Sequence, residues 1–95
     1  MKNGKPNDFL ETIYNGTDLE YTYKNRKYWT EGYAKDNLFW LVVYHCDDKA
    51  IEDNEGYLIN KGFSDGEAAV NYYVNQPIFD GKPFWDAEKD INWLY

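Results

Sequence analysis

Four consecutive residues, His45-Cys46-Asp47-Asp48, place an imidazole, a thiol and two carboxylates side by side. Zinc takes ligands of these types, but a tetrahedral site draws them from separated segments of chain. Neighbours in sequence cannot all wrap one ion without severe backbone distortion. His45 and Cys46 are therefore the pair that would bind, with a carboxylate from the residues that follow completing the set. Without a metal, the run is simply a strand end turning polar, and no cofactor is implied. Nucleophilic catalysis fares worse, because residues adjacent in a strand point to opposite faces. His45 is also the sole histidine, so no other imidazole can activate the thiol. The segment Glu52-Asp53-Asn54-Glu55-Gly56 lacks the spacing and the terminal glutamate of a calcium loop. None of the seven glycines lies in a phosphate-cradling motif. Paired-carboxylate catalysis is compatible with the residue types, and would require a deep pocket holding a perturbed acid pair.

A second pattern mixes acids with large rings. Asp80, Asp86, Glu88 and Asp90 alternate with Phe79, Phe84, Trp85, Trp93 and Tyr95, and a further acidic run holds Asp47, Asp48, Glu52, Asp53 and Glu55. Residues 1–35 carry six bases and five acids, a balance of +1, whereas residues 36–95 carry four bases and twelve acids, a balance of −8. The whole net charge of −7 thus belongs to the second segment. Such a surface repels the phosphate backbone, which argues against direct nucleic-acid binding and against anionic membranes. It favours a basic protein partner, steered by carboxylates and anchored by rings. The candidate partner-binding residues are Asp47, Asp48, Glu52, Asp53, Glu55, Asp80, Trp85, Asp86, Glu88, Asp90 and Trp93. The bland alternative makes Phe84 and Trp93 core and the acids a solvated face. The tyrosine-rich strands equally suit a homodimer face.

The elements that would position these groups can be read from periodicity. Asn7 caps a helix through Tyr14 that ends at Asn15-Gly16. Leu19, Tyr21 and Tyr23 alternate with polar residues as in a half-buried strand, a turn falls at Asn25-Arg26, and a second strand runs through Tyr28, Thr30 and Tyr33. The run Leu38–His45 is nearly all apolar and is expected to be a central strand covered on both faces. Cys46–Gly56 is expected to be a hydrated acidic loop, and Tyr57–Ile59 a brief strand. A capping box from Ser64 to Glu67 should open a helix ending before Pro77. After a turn at Asp80-Gly81, Pro83 should open a last helix with Phe84, Ala87, Ile91 and Leu94 on one face. The predicted fold is one α+β domain over residues 1–95. It has a three- to four-stranded antiparallel sheet packed against an N-terminal helix and two C-terminal helices. With no apolar run long enough for a membrane span and a single cysteine, the sequence predicts a cytoplasmic protein.

Three segments also carry a resemblance: Phe9–Gly16 followed by the tyrosine-rich hairpin, Phe39-Trp40-Leu41, and Pro77–Trp85. As a set they resemble small uncharacterised proteins of Gram-positive bacteria and their phages and mobile elements. In size and acidity the chain is also similar to anti-CRISPR proteins. That likeness implies a non-enzymatic inhibitor of a nucleic-acid-handling protein such as a Cas nuclease, acting by steric block or DNA mimicry. The alternatives are a small zinc-binding regulator using His45 and Cys46, and an enzyme with carboxylate chemistry.

Overall fold

A computed structural model describes all 95 residues. Helix α1 (Pro6–Tyr14) is followed by strands β1 (Leu19–Tyr23), β2 (Arg26–Lys35) and β3 (Leu38–His45), then a short helix α2 (Asp48–Glu52) and strand β4 (Ile59–Phe63). Helices α3 (Gly66–Asn75) and α4 (Phe84–Ala87), a 3-10 turn at Glu88–Asp90 and strand β5 (Asn92–Trp93) complete the chain. The strands form one antiparallel sheet in the order β4-β3-β2-β1-β5.

Both hairpins at the heart of the sheet close through two-residue turns. Lys24 and Asn25 have φ of 46° and 66°, and Asp36 and Asn37 have 55° and 63°. Positive φ at both central residues is what a type I′ turn requires, and its twist matches that of the strands it joins. The first turn is therefore Lys24-Asn25 rather than Asn25-Arg26, which frees Arg26 to begin β2.

Register divides the sheet into two faces, because directly paired residues share a face. Tyr21 pairs with Tyr28, Tyr28 with His45, Leu19 with Thr30, Thr30 with Val43, and Val43 with Ile59. This inner face meets α1, α3 and α4. Leu19, Tyr21, Tyr28, Leu41, Val43 and Ile59 from the strands join Phe9, Ile13, Ala69, Tyr73, Phe79, Phe84 and Ile91 in one buried cluster. Its rings interlock: Tyr21 stacks on Tyr28 at 5.2 Å with 6° between planes, Phe9 meets Tyr21 edge-on at 4.9 Å, and Phe9 stacks on Phe84 at 5.5 Å. Such ring pairs add about 0.5–1.5 kcal/mol each beyond their buried area. Three of the buried tyrosine hydroxyls are paired, since Tyr21 lies 2.7 Å from Thr30 Oγ1 and 2.8 Å from Tyr73 Oη, and Tyr28 donates to the Ile78 carbonyl at 2.8 Å, whereas the Tyr23 hydroxyl is buried without a partner.

The α+β class is as expected, with differences that have local causes. Five strands form instead of three or four, and the expected last helix is cut to one turn. Beyond the 3-10 turn, Ile91 turns extended (φ −80°, ψ 133°), and Asn92–Trp93 joins the sheet opposite Tyr21 and Thr22. The Lys2 backbone bonds Ile91 and Trp93 and covers this edge. The acidic segment after β3 is not all loop, because the Asp47 side chain accepts from the Ala50 amide at 2.9 Å and nucleates α2. At α3 the cap is Asp65 rather than Ser64, its carboxylate accepting from Ala68 N at 2.8 Å. Gly66 then opens the helix directly against the Tyr14 carbonyl, where any Cβ would collide, so glycine lets α1 and α3 touch. Helix α1 starts two residues early, at Pro6, with Lys5 rather than Asn7 in the cap position and no side-chain cap. Strand β4 runs from Ile59, later than expected.

Strand β3 is interior but not covered on both faces. On the outer face Trp29 pairs with Tyr44, Glu31 with Val42, Tyr33 with Trp40, and Lys35 with Leu38. Helices α1, α3 and α4 all pack on the inner face, so these residues look outward.

Candidate functional site

The first constellation comes apart at the end of β3. His45 shares the inner face with Tyr28, whose ring it meets edge-on at 4.5 Å. Its Nδ1 is 2.9 Å from Glu55 Oε1, while Nε2 is buried without a partner. Because a carboxylate only accepts, Nδ1 carries the proton in this contact. Cys46 continues the chain on the opposite side, its backbone N–H bonded to the Lys27 carbonyl. Burial raises the Cys46 thiol above its ordinary pKa, which is the reverse of what a nucleophile or a zinc thiolate needs. No group of three or more histidine, cysteine, aspartate or glutamate side chains converges as a metal site.

Several of the expected partner-binding acids are engaged within the fold. Arg26 Nε and Nη2 grip Asp47 at 2.8 and 3.1 Å, and Nη2 reaches Glu55 at 2.8 Å. Asp47 also accepts from the Lys27 and Ala50 amides. The guanidinium hydrogen bonds hold Asp47 well below the usual carboxylate range, and Arg26 followed by His45 lowers Glu55. Both shifts run opposite to that of a general acid, which must keep its proton near neutrality. Asp53 pairs with Lys49 at 2.7 Å, and Glu88 with the N-terminal amine at 2.9 Å. Trp93 packs edge-on against Phe9 and donates from Nε1 to the Tyr95 carbonyl. Asp48, Glu52, Asp80, Asp86 and Asp90 are exposed, and Trp85 is about half-exposed over Phe84. These residues do not form one surface. The first acidic group sits where β3 passes to β4, Glu88 lies toward the β5 edge beside the N-terminus, and Asp80 lies near Tyr28 of β2.

The outer sheet face presents a different and continuous surface. Trp29, Tyr33, Trp40 and Tyr44 stand on two adjacent strands around Val42, which their bulk buries, and Leu38 extends the row. Tyr33 is 43% and Leu38 37% exposed. Charges rim the patch: Lys27 pairs with Glu20 at 2.6 Å, and Lys35 Nζ lies 5.6 Å from the Trp40 ring. Glu31 makes no ion pair. At the His45 end the face runs into a cleft of about 390 Å³, lined by Glu31, Tyr44, His45, Glu55, Gly56 and Tyr57. Tyr44 and Tyr57 form a right-angled corner there, centroids 5.9 Å apart and planes at 81°. Burial, then the Glu31 charge, raises the Tyr44 pKa.

The sequence offers the tyrosine-rich strands only as a homodimer face and Leu38–His45 as covered on both sides, so this surface is not singled out there although its signal is present. Trp29 and Tyr33 on β2 alternate with Tyr28 and Thr30, so both faces of the hairpin are aromatic. No family model, curated protein or solved structure matches the chain. No helix is long and apolar enough to cross a membrane.

Proposed function

We propose that the chain is a non-enzymatic protein-binding module whose recognition surface is the outer face of the sheet. The observation that carries this reading is the row Trp29, Tyr33, Trp40 and Tyr44 on the face away from α1, α3 and α4, with Tyr33 exposed and the other three rings half-buried. Contiguous exposed apolar surface of this kind is where soluble proteins bind one another, and aromatic residues dominate the energetics of such contacts. The partner is a basic protein, because the chain carries −7 and free carboxylates at Glu31, Asp48, Glu52, Asp86 and Asp90 attract cationic surfaces from a distance. Charge also disfavours a second copy as the occupant, since face-to-face dimerisation would bring two chains of −7 together. A nucleic-acid-handling protein such as a Cas nuclease has the required positive surface, and occupying it would make the chain an inhibitor of the anti-CRISPR kind. The acidic groups then act in steering, and the rings in holding.

The test is a titration of the chain into a purified Cas nuclease at physiological salt, with DNA cleavage and affinity as readouts. Amide exchange would map the contact. Binding protected at β2 and β3, and weakened at least tenfold by Tyr33→Ser with Trp40→Ser, supports the reading. Protection confined to α4 and the 3-10 turn would move the surface elsewhere. Sedimentation as a dimer whose contact covers Trp29 and Trp40 would replace the heterologous partner by a second copy.

A further inference from the structure

The cleft at the end of the outer face has the makings of a receptor for one chemical group. Tyr44 is the penultimate residue of β3 and Tyr57 stands on the approach to β4, and their rings meet edge to face at 81° with centroids 5.9 Å apart. In such an edge-to-face pair the ring that takes the other's edge is polarised, and a ring face left open to the cleft attracts a cation. Glu31 enters the same cleft from β2 and Glu55 from the loop before Tyr57. No lysine or arginine lines it. The Glu31 charge has no internal partner, while Arg26 is shared between Asp47 and Glu55, so that three-residue group retains one net negative charge. Glu55 uses Oε1 for both Arg26 and His45, and Oε2 takes no bond from the protein. Two tyrosines and two carboxylates, one of them held by His45, line one open cleft of about 390 Å³ whose charge favours a cation.

We propose that this cleft binds an alkylammonium group, and that its occupant is a lysine side chain of the protein that docks on the outer sheet face. The inference rests on the reading above for the source of the lysine, though not for the chemistry of the cleft. An ammonium is compact, donates three hydrogen bonds and rides on an apolar stem. The carboxylates of Glu31 and Glu55 accept from the head, and the Tyr44 and Tyr57 rings flank the stem and the charge. Glu31 keeps both carboxylate oxygens free and could also take a guanidinium edge-on, so larger shifts with the arginine analogue than with the lysine compound would overturn the lysine assignment. The walls stop at two rings, so a free cation is held on only part of its surface. A tethered lysine gains from the neighbouring contacts of Trp29, Tyr33 and Trp40, to which the cleft is joined through Tyr44.

The experiment separates the cleft from the partner. Side-chain NMR of Tyr44 and Tyr57 is followed while N-acetyl-lysine-methylamide, its neutral norleucine isostere, the arginine analogue and choline are added in turn. Saturable shifts with the lysine compound and none with norleucine are expected, with Tyr57→Ala and Glu31→Gln each weakening the response about threefold or more. Thermal melts within a few degrees of the parent show that these exposed changes leave the fold intact. Shifts with choline equal to or larger than those with lysine would make a free quaternary ammonium the ligand and overturn the lysine assignment. No saturable shift with any cation overturns the cleft itself. If the cleft takes lysine but no basic protein binds the sheet, the docking reading fails and the cleft stands. A partner that binds the parent and Tyr57→Ala equally leaves docking in place and removes the lysine contact.

Discussion

The two faces of the sheet are built from the same residue types and have opposite fates. On the inner face Tyr21, Tyr28 and Tyr73 are fully buried or nearly so, their rings interlocked with Phe9, Phe79 and Phe84 and their hydroxyls bonded to Thr30, to one another and to the Ile78 carbonyl. Burial pushes the Tyr21 and Tyr73 phenols far above their ordinary pKa, so these groups stay neutral hydrogen-bonding partners. The outer face places Trp29, Tyr33, Trp40 and Tyr44 at equivalent register positions, Tyr33 exposed and the other three half-buried. Three helices cover one side of this sheet and none covers the other. Aromatic content is thus shared between folding and recognition, and burial tells the two uses apart.

Mutations should separate the faces cleanly. The largest effect belongs to Tyr21→Ala, which removes a fully buried ring and its two hydroxyl contacts. A loss of about 3–5 kcal/mol by denaturant titration is expected. Tyr21→Phe keeps the ring and strands the hydroxyls of Thr30 and Tyr73, at a cost of about 1–3 kcal/mol. If this variant were as stable as the parent, the buried hydroxyl chain would not hold the layers together. Asp47→Ala removes the cap of α2 and the grip of Arg26, and should cost about 1–2 kcal/mol.

The same cluster predicts an acid limb. Asp47 and Glu55 are held below their unfolded values, so their stabilisation is complete above the ordinary carboxylate range of about 4 and is lost as pH falls below it. Urea melts between neutrality and pH 3 should show this decline, flattened in Arg26→Gln. An unchanged slope in that variant would separate Arg26 from the acid response. Smallest in stability are outer-face changes. Tyr33→Ser should fall within about 0.5 kcal/mol of the parent while partner affinity drops about tenfold. Equal affinity for Tyr33→Ser and the parent would break the comparison of faces.

Much of the local structure was legible before the fold. Alternation marked Leu19–Tyr23, Asn15-Gly16 marked the end of α1, and Asp80-Gly81 marked a turn, where φ is 54° and 82°. These signals come from sterics and period within a few residues. The last helix misled because Phe84, Ala87 and Ile91 bury at helical spacing whichever way the backbone continues. What extends Asn92–Trp93 is the pairing edge of β1, more than sixty residues away in sequence. Asp47 and Glu55 looked like free surface charge for a similar reason. Their partner Arg26 lies on another strand, and only the β2–β3 register brings it within reach.

By itself, the sequence determined that this is an acidic α+β chain with aromatic strands and one contiguous run of potential ligands, His45 to Asp48. Which aromatic residues are core, which acids are free, and that Tyr44, Tyr57 and Glu31 share a cleft were decided by tertiary structure. Alternation in a strand states that there are two faces, and only the placement of the helices says which one they cover.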